Sequence, residues 1–542
     1  MQQKNLSARS LRARPPQRLA AGLMAGIVLL ALSGCRTPQL YGPEPGPVLP
    51  ENFNGATSAE NSAHIGLAEF FNEPVLTQLI SEGLAQNQEL KIRNQEVEIA
   101  SNEIMARRGA YLPFVTAGAG GGFMKGSRYT PLGAAEDQLT YPGDRHFPSP
   151  VPNVGLSANL NWQVDIWRQL RNARDAAMQR YCEAIEARNY FITRLVAETA
   201  ENYYELASLD QRLIYLNQTI ELQQKSLEVA KFQKEAARGT ELAVVRFLAE
   251  VRKNESQSLI IKQKMIEVQN RINFLVGRYP QPVERESWDF IKLDSRILNV
   301  GVPAQLLQNR RDILAAEREL AATGLDVLVA KANFYPRLDI TAGVGFEAFN
   351  PRYLFDPGSF VANAAGGLVA PLINKQAIRA EYLNANARQL QAVYNYQRTV
   401  LNAFTEVANS VSKVENYRQS VAIKGEQVQA LERSVTVATD LFQGAQPEVE
   451  YMDVLFAQRD LLDARTVLIE TKQQQLSAIV NAYQALGGGL MANSEEEFAG
   501  YFSEDVMTAP DQQPVPPAPA EAAELPVPGA DVPPPPSGKA KM

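Results

Sequence analysis

The stretches without proline constrain this fold most. No proline occurs from 75 to 112, from 153 to 279, from 304 to 335, from 372 to 446 or from 448 to 509. These stretches are rich in Ala, Leu, Gln, Glu, Lys and Arg, the strongest helix formers. They predict helices over 75–108, 167–237, 240–276, 304–332, 374–442 and 448–486. Within the second, Leu206, Leu209, Leu213, Leu216, Ile220 and Leu227 step by three and four, which is a heptad seam. A helix of ~70 residues spans ~105 Å. No ordinary globular domain is that long. A chain that length alone would divide into roughly three or four domains must therefore be built around a coiled coil or helical bundle.

The predicted helix lengths pair up. The first and third together match the second, and the fourth and sixth together match the fifth. The packing this implies is two short helices stacked end to end beside one long antiparallel helix, made twice. Between helices lie strand-like runs. Val154, Leu156, Ala158, Leu160, Trp162 and Val164 alternate with polar or small residues, as do Leu338, Ile340, Ala342, Val344 and Phe346. Weaker Gly- and Ala-rich runs occupy 113–124 and 360–372. Strands of about 11–12 residues with an uncharged polar face fit a membrane barrel wall better than a hairpin on a helical core. The order is helix, strand, loop, strand, helix, helix, and then the same again. Tyr111-Leu112-Pro113 before the first strand answers Phe334-Tyr335-Pro336 before the third. Four strands cannot close a membrane barrel, and an open edge in lipid leaves backbone groups unpaired. The strands must be pooled between copies, which places the helices around one axis as a tube.

The ends of the chain are of other kinds. Residues 1–34 carry Lys4, Arg9, Arg12, Arg14 and Arg18, no acid, and an apolar core over 19–32. That reads as a signal peptide. Leu32-Ser33-Gly34-Cys35 resembles a bacterial lipobox, which implies cleavage before Cys35 and acylation of it; a plain secretory peptide is the alternative. Export removes five cations, taking the formal charge from −7 to −12. Arg36 in place of Asp favours the outer membrane. Residues 35–74 read as an extended acylated lead, and the Pro-rich segment at 491–542 as a disordered tail. The acidic balance argues against nucleic acid. The residues His64 and His146 stand alone, and Cys182 is the one thiol left after Cys35, so the sequence offers no metal cluster, disulfide or catalytic constellation, and the covalent lipid is the sole prosthetic group expected. Cys182 reads as a packing residue. Trp162 and Trp167 sit at the periplasmic edge of the strands, as an aromatic belt or as junction packing.

Over residues 70–490 the chain resembles the TolC-like outer-membrane efflux channels, in particular their lipoprotein branch associated with resistance–nodulation–division pumps. The matching stretches include Trp162-Gln163-Val164-Asp165-Ile166-Trp167, Val302-Pro303-Ala304-Gln305-Leu306-Leu307 with Arg310-Arg311-Asp312, and Ala332-Asn333-Phe334-Tyr335-Pro336. Glu406-Val407, Asp453-Val454-Leu455 with Gln458-Arg459, and Tyr483-Gln484-Ala485-Leu486-Gly487-Gly488-Gly489 follow in order. The fold this implies is mainly α with membrane β. A long antiparallel coiled-coil helical barrel carries four strands per chain, and three chains pool them into a 12-stranded barrel. The first repeat covers 75–300 and the second 301–490. The resemblance also implies a homotrimer in outer-membrane lipid, docked on a periplasmic adaptor that joins an inner-membrane pump, with passive export of drugs or metal ions. A type I protein secretion duct shares the fold, and a non-conducting coiled-coil scaffold lipoprotein is the reading from another class. Arg311 stands where the family has Pro, Leu490 where it has Trp, and Ala243 where it has Asp.

Two helix reversals make the periplasmic tips. Arg238-Gly239-Thr240 is the first, with Gly239 expected at positive φ and Thr240 as a helix cap. Gly444, Gln446 and Pro447 form the second, which is longer than is usual in the family. The family places adaptor contacts at both tips. Asp453 matches the family's aperture aspartate; the alternative is a solvated acid in the first turn of a helix.

Overall fold

A computed structural model describes residues 37–53, 62–141, 143–285, 290–293, 301–371, 373–443 and 450–489. Cys35, the tip residues Gly444, Gln446 and Pro447, Leu490, the signal peptide and the C-terminal tail lie outside the described residues.

The main helices are α1 (Pro74–Gln86), α2 (Gln88–Ala110), α3 (Gln169–Glu235), α4 (Glu241–Val276), α5 (Arg311–Ala332), α6 (Gln376–Gln443) and α7 (Tyr451–Ala485), and the lead expected to be extended contains a short helix, Leu67–Phe71. The strands are β1 (Phe114–Met124), β2 (Val151–Val164), β3 (Arg337–Ala348) and β4 (Phe360–Val369). Helices α3 and α6 run for 67 and 68 residues, each about 100 Å long.

Two expected helices are broken. The run 75–108 divides at Asn87, whose N–H closes α1 on the Gly83 carbonyl while its Oδ1 accepts the Leu90 N–H at 2.8 Å. The run 304–332 divides at Arg310, which separates a single turn, Leu306–Asn309, from α5. The reason is the end-to-end stacking that the lengths anticipated. Asn87 Nδ2 donates to the Leu275 carbonyl at the end of α4, at 2.8 Å. Arg310 Nη1 donates to the Ala485 carbonyl at the end of α7, at 3.1 Å. The last carbonyls of a helix lack intrahelical partners, and in each repeat a side chain from the broken short helix supplies one.

Each stack has a glycine at its seam. Gly277 has φ +82° and Gly487 φ +96°. A Cβ on Gly277 would lie 2.5 Å from the Gln86 carbonyl oxygen, and one on Gly487 2.6 Å from that of Asn309. Both the left-handed backbone and the close approach exclude a side chain.

The long helix α3 packs against α2 and α5 along its first half and against α4 and α7 along its second. Arg180 pairs with Asp326, and Arg311 with Glu186, between α3 and α5. Further along, Arg271 pairs with Glu198 of α3 from α4, and Asn481 of α7 donates to Glu201 at 2.6 Å. Helix α6 takes α5 and α7 in turn. The two repeats are thus interleaved, with α3 of the first sharing both short helices of the second. The largest core lies where α1, α3, α4 and α7 meet. It holds Leu76, Leu79, Tyr203, Leu206, Leu209, Leu216, Ile272 and Ile469, and Phe70 stacks on Tyr483 at 3.8 Å between centroids. Four residues of the predicted seam, Leu206, Leu209, Leu216 and Leu227, are buried.

The strands form one antiparallel sheet in the order β1-β2-β3-β4. Phe114 pairs with Asn161, Trp162 with Ile340 and Phe346 with Phe360. The central β2–β3 pair joins one repeat to the other. Strand β2 starts three residues before its predicted position and β4 stops three short of 372. The long inter-strand loop contains a helix, Pro131–Gln138, and a short ribbon, Thr140–Tyr141 with Arg145–His146. Its Tyr141 and Phe147 pack on Phe349 from the other hairpin loop at 4.9 and 5.1 Å, so the two loops are clipped together beyond the sheet.

Candidate channel wall, junction and tip

At one end the sheet runs straight into the helices. Asp165 follows β2, and its carboxylate accepts the Leu170 and Arg171 N–H groups and the Arg171 Nε, each at 3.0 Å. It therefore caps α3 from outside. Burial alone would raise its pKa, but these donors and the guanidinium charge hold it below the usual carboxylate range. Trp162 Nε1 donates to the Tyr111 carbonyl at 3.0 Å, and Trp167 Nε1 to the Pro336 carbonyl at 2.8 Å. Trp167 also stacks on Tyr335 at 4.8 Å. Both tryptophans are thus junction residues, and each ties strand-end backbone to one copy of the repeated aromatic–Pro motif.

Among the described residues no helix packs over either face of the sheet. Every residue of β1 and β4 is exposed, including Phe114, Val115, Phe360, Val361, Leu368 and Val369. Among the described residues β1 and β4 each pair on one side only. The alternative of a hairpin packed on a helical core does not hold.

Below the sheet, α2, α3, α5 and α6 stand side by side. A cavity of 640 Å³ is lined by Arg93 of α2, Phe191 and Arg194 of α3, Ala315 and Ala316 of α5, and Arg398 of α6. A row of helices can share one cavity among its outermost members only on its concave side. The N-terminal lead lies on the other side of α6. The Tyr41 N–H donates to Asn386 Oδ1 at 3.1 Å, Gln397 Nε2 donates to the Glu44 carbonyl at 3.3 Å, and Phe53 stacks on Phe404 at 5.1 Å. Along a helix underwound to about 3.5 residues per turn, this stripe lies opposite the cavity-lining Asn395, Thr399 and Asn402. The wall therefore has an outer face strapped by the lead and an inner, polar face. On that inner face Glu183 is pushed up to about 7 by burial and by the neighbouring Glu319 carboxyl, with Arg180 opposing. Glu201 is raised by burial against the Asn481 hydrogen bond. Cys182 is buried inside the wall, and burial raises its thiol pKa.

The first tip closes differently from the sequence expectation. The left-handed residue is Ala237, at φ +55°, and Gly239 is not at positive φ. The Arg238 and Gly239 N–H groups both return to the Gln233 carbonyl, at 2.8 and 2.9 Å. What Gly239 supplies is closeness: a Cβ there would sit 3.1 Å from the Lys234 nitrogen. Thr240 caps α4 as expected, its Oγ1 accepting the Ala243 N–H at 3.3 Å. Arg238 and Thr240 are exposed. Ala243 faces inward, buried with Phe247, Phe442, Val454 and Leu455 in the core of the tip. Asp453 is exposed, and its Oδ2 accepts the Glu450 N–H at 2.9 Å, which closes the first turn of α7. The solvated-acid reading is thereby given a local task.

The sequence alone points to no role for Asn87 or Arg310, nor for the inner-face arginines Arg194 and Arg398. Arg310 was visible inside a family motif, but its partner Ala485 lies 175 residues away.

Comparisons agree with this architecture. The family model described as outer membrane efflux protein matches residues 79–278 and 302–488. The cation efflux system protein CusC of Escherichia coli K12 is 26% identical over 476 residues, covering 86% of this chain and 99% of that protein. The toluene efflux pump outer membrane protein TtgI of Pseudomonas putida is 26% identical over 424 residues, covering 78% of this chain and 87% of the relative. The solved outer-membrane channel OprN superposes with a TM-score of 0.73 at 22% identity, over 84% of this chain and 99% of that one.

Proposed function

The chain belongs to the outer membrane efflux protein family, and from that premise we propose that it is the exit duct of a tripartite efflux system, carrying small molecules passively from the periplasmic side through the outer membrane. The observation that carries this reading is the uncovered four-stranded sheet set at the end of helices about 100 Å long, with β2 joined to α3 through the Asp165 cap. Three copies give twelve strands, enough to close a barrel and remove the free edges. The same axis turns the concave helical face into the lumen. Cys35 carries the lipid, and the lead descending the outer face of α6 is consistent with an anchor outside the tube.

The relatives bear names of unlike cargo, a cation in one case and toluene in the other. A common fold with different cargo leaves selection to the pump, which we assign to the resistance–nodulation–division type. The adaptor docks at the tips, on Arg238, Gly239 and Thr240 and on Gly444, Gln446 and Pro447. Asp453 rings the aperture, where three carboxylates would bind cations. The test is site-specific crosslinking in cells from Arg238→Cys. The expected result is an adduct with a periplasmic adaptor and loss of efflux-dependent resistance when the gene is deleted. Unchanged resistance and no adduct from either tip would overturn the assignment.

A further inference from the structure

The 640 Å³ cavity on the concave face is unevenly charged. Its acids are spoken for. Asp312 is gripped by Arg310 through both oxygens, at 2.9 and 2.6 Å. Glu319 lies 3.5 Å from Arg180, and burial together with the neighbouring Glu319 carboxyl raises Glu183 to about 7, so near neutral pH this pair carries less than its full charge. Arg93 is tied to Glu89 and Glu96 of its own helix, at 3.0 and 2.9 Å. Arg194 and Arg398 differ. Neither has a carboxylate partner among the described residues, and Arg398 meets only the Asn395 amide oxygen, at 2.6 Å. The same cavity has an apolar lining of Ala187, Phe191, Ala315 and Ala316.

We propose that this cavity is a wayside binding site for amphipathic organic anions of drug size, with Arg194 and Arg398 holding a carboxylate or sulfonate and Phe191 and the three alanines receiving the apolar body. The volume falls in the range of drug-sized pockets, and guanidinium is the side chain best matched to planar oxyanions. The residues come from α3, α5 and α6 of one chain, so a trimer carries one site per chain at the same height in the tube. The inference rests on the duct reading in one respect: that reading turns the concave face into the lumen, where cargo passes.

The experiment uses the full-length protein in planar lipid bilayers at pH 7, with 2-naphthalenesulfonate and 2-naphthylmethylammonium as probes of equal size and opposite charge. The sulfonate should block the current at a concentration roughly fivefold lower than the ammonium, as two exposed charge contacts imply. R194Q/R398Q should abolish the difference and R194K/R398K should keep part of it. Equal block by the two probes in the wild-type channel overturns the site whatever the variants do, and so does a preference that survives R194Q/R398Q. A protein that never conducts would instead count against the duct itself.

Discussion

Replacing Arg310 by methionine should loosen the seam between α5 and α7 while leaving the rest of the wall intact. The Arg310 side chain is 3% exposed. It donates to Asp312 Oδ1 and Oδ2, to Glu406 Oε2 at 2.7 Å, and to the Ala485 carbonyl at 3.1 Å. Burial alone would lower its pKa, but Asp312 and Glu406 raise it above the usual arginine value, so the charge is held firmly. Methionine keeps most of the apolar stem and removes every donor. Glu406, 42% exposed, recovers water at little cost. Asp312, 16% exposed, and the Ala485 carbonyl do not recover it as readily. Breaking a buried ion pair from one side costs about 3–5 kcal/mol, and the partial exposure of Asp312 places the value near 3 kcal/mol. Amide hydrogen exchange across 482–489 and 309–314 should accelerate by about a hundredfold or more, with exchange in the middle of α6 unchanged. Asp312→Asn should couple strongly to Arg310→Met in a double-mutant cycle, and Glu406→Gln weakly. If exchange at 482–489 does not change, the seam is held by packing of Leu486, Ile313 and Ala403 alone, and the argument from the guanidinium fails.

Three further changes probe other parts of the account. Asn87→Ala removes both the cap on Leu90 and the bond to the Leu275 carbonyl, and should cost about 1–2 kcal/mol in denaturant unfolding; a change below a few tenths refutes the shared-seam role. Ala237→Gly relieves a left-handed alanine and should slow exchange at the first tip by two- to fivefold, worth about 0.5–1 kcal/mol, whereas faster exchange would show that the alanine is unstrained. Glu183 has a folded pKa raised from 4.5 to about 7, so the folded state binds its proton more tightly than the unfolded chain does. Its contribution favours folding at low pH and is lost as pH rises from 4.5 through 7. Glu183→Gln should therefore be more stable than wild type at pH 8, by about 1–2 kcal/mol once solvent screening is allowed for, and equal to it near pH 4; the opposite order at pH 8 contradicts a Glu183 carboxyl raised by burial and by Glu319.

Much of this fold is legible in the sequence because its long elements are periodic over many turns. The seam through Leu206, Leu209 and Leu216 reaches the core as drawn, and the period-2 alternation of Leu156 to Trp162 and Leu338 to Phe346 marks adjacent paired strands. What escapes is set by partners distant in sequence. The segment Gln86-Asn87-Gln88 contains no Gly or Pro, and it breaks because Leu275, 188 residues from Asn87, needs a donor. Interleaving of the repeats escapes too. Helix α3 buries Glu186, Asn189, Thr193 and Thr199 as well as its leucines, so its polar side carries a second set of neighbours that a leucine stripe cannot reveal. The left-handed residue of the tip lies two residues before the expected one, since Gly239 is the usual carrier of positive φ but Ala237 holds it.

The duct exists only if uncovered sheets from several copies close into one conducting barrel. Purified protein reconstituted in a planar bilayer tests it directly. Discrete, uniform current steps are expected from a species with the mass of three chains, in a barrel resistant to protease across 114–124 and 360–369. A trimer of that mass that never passes current, or current that arises only from particles of other stoichiometry, contradicts it.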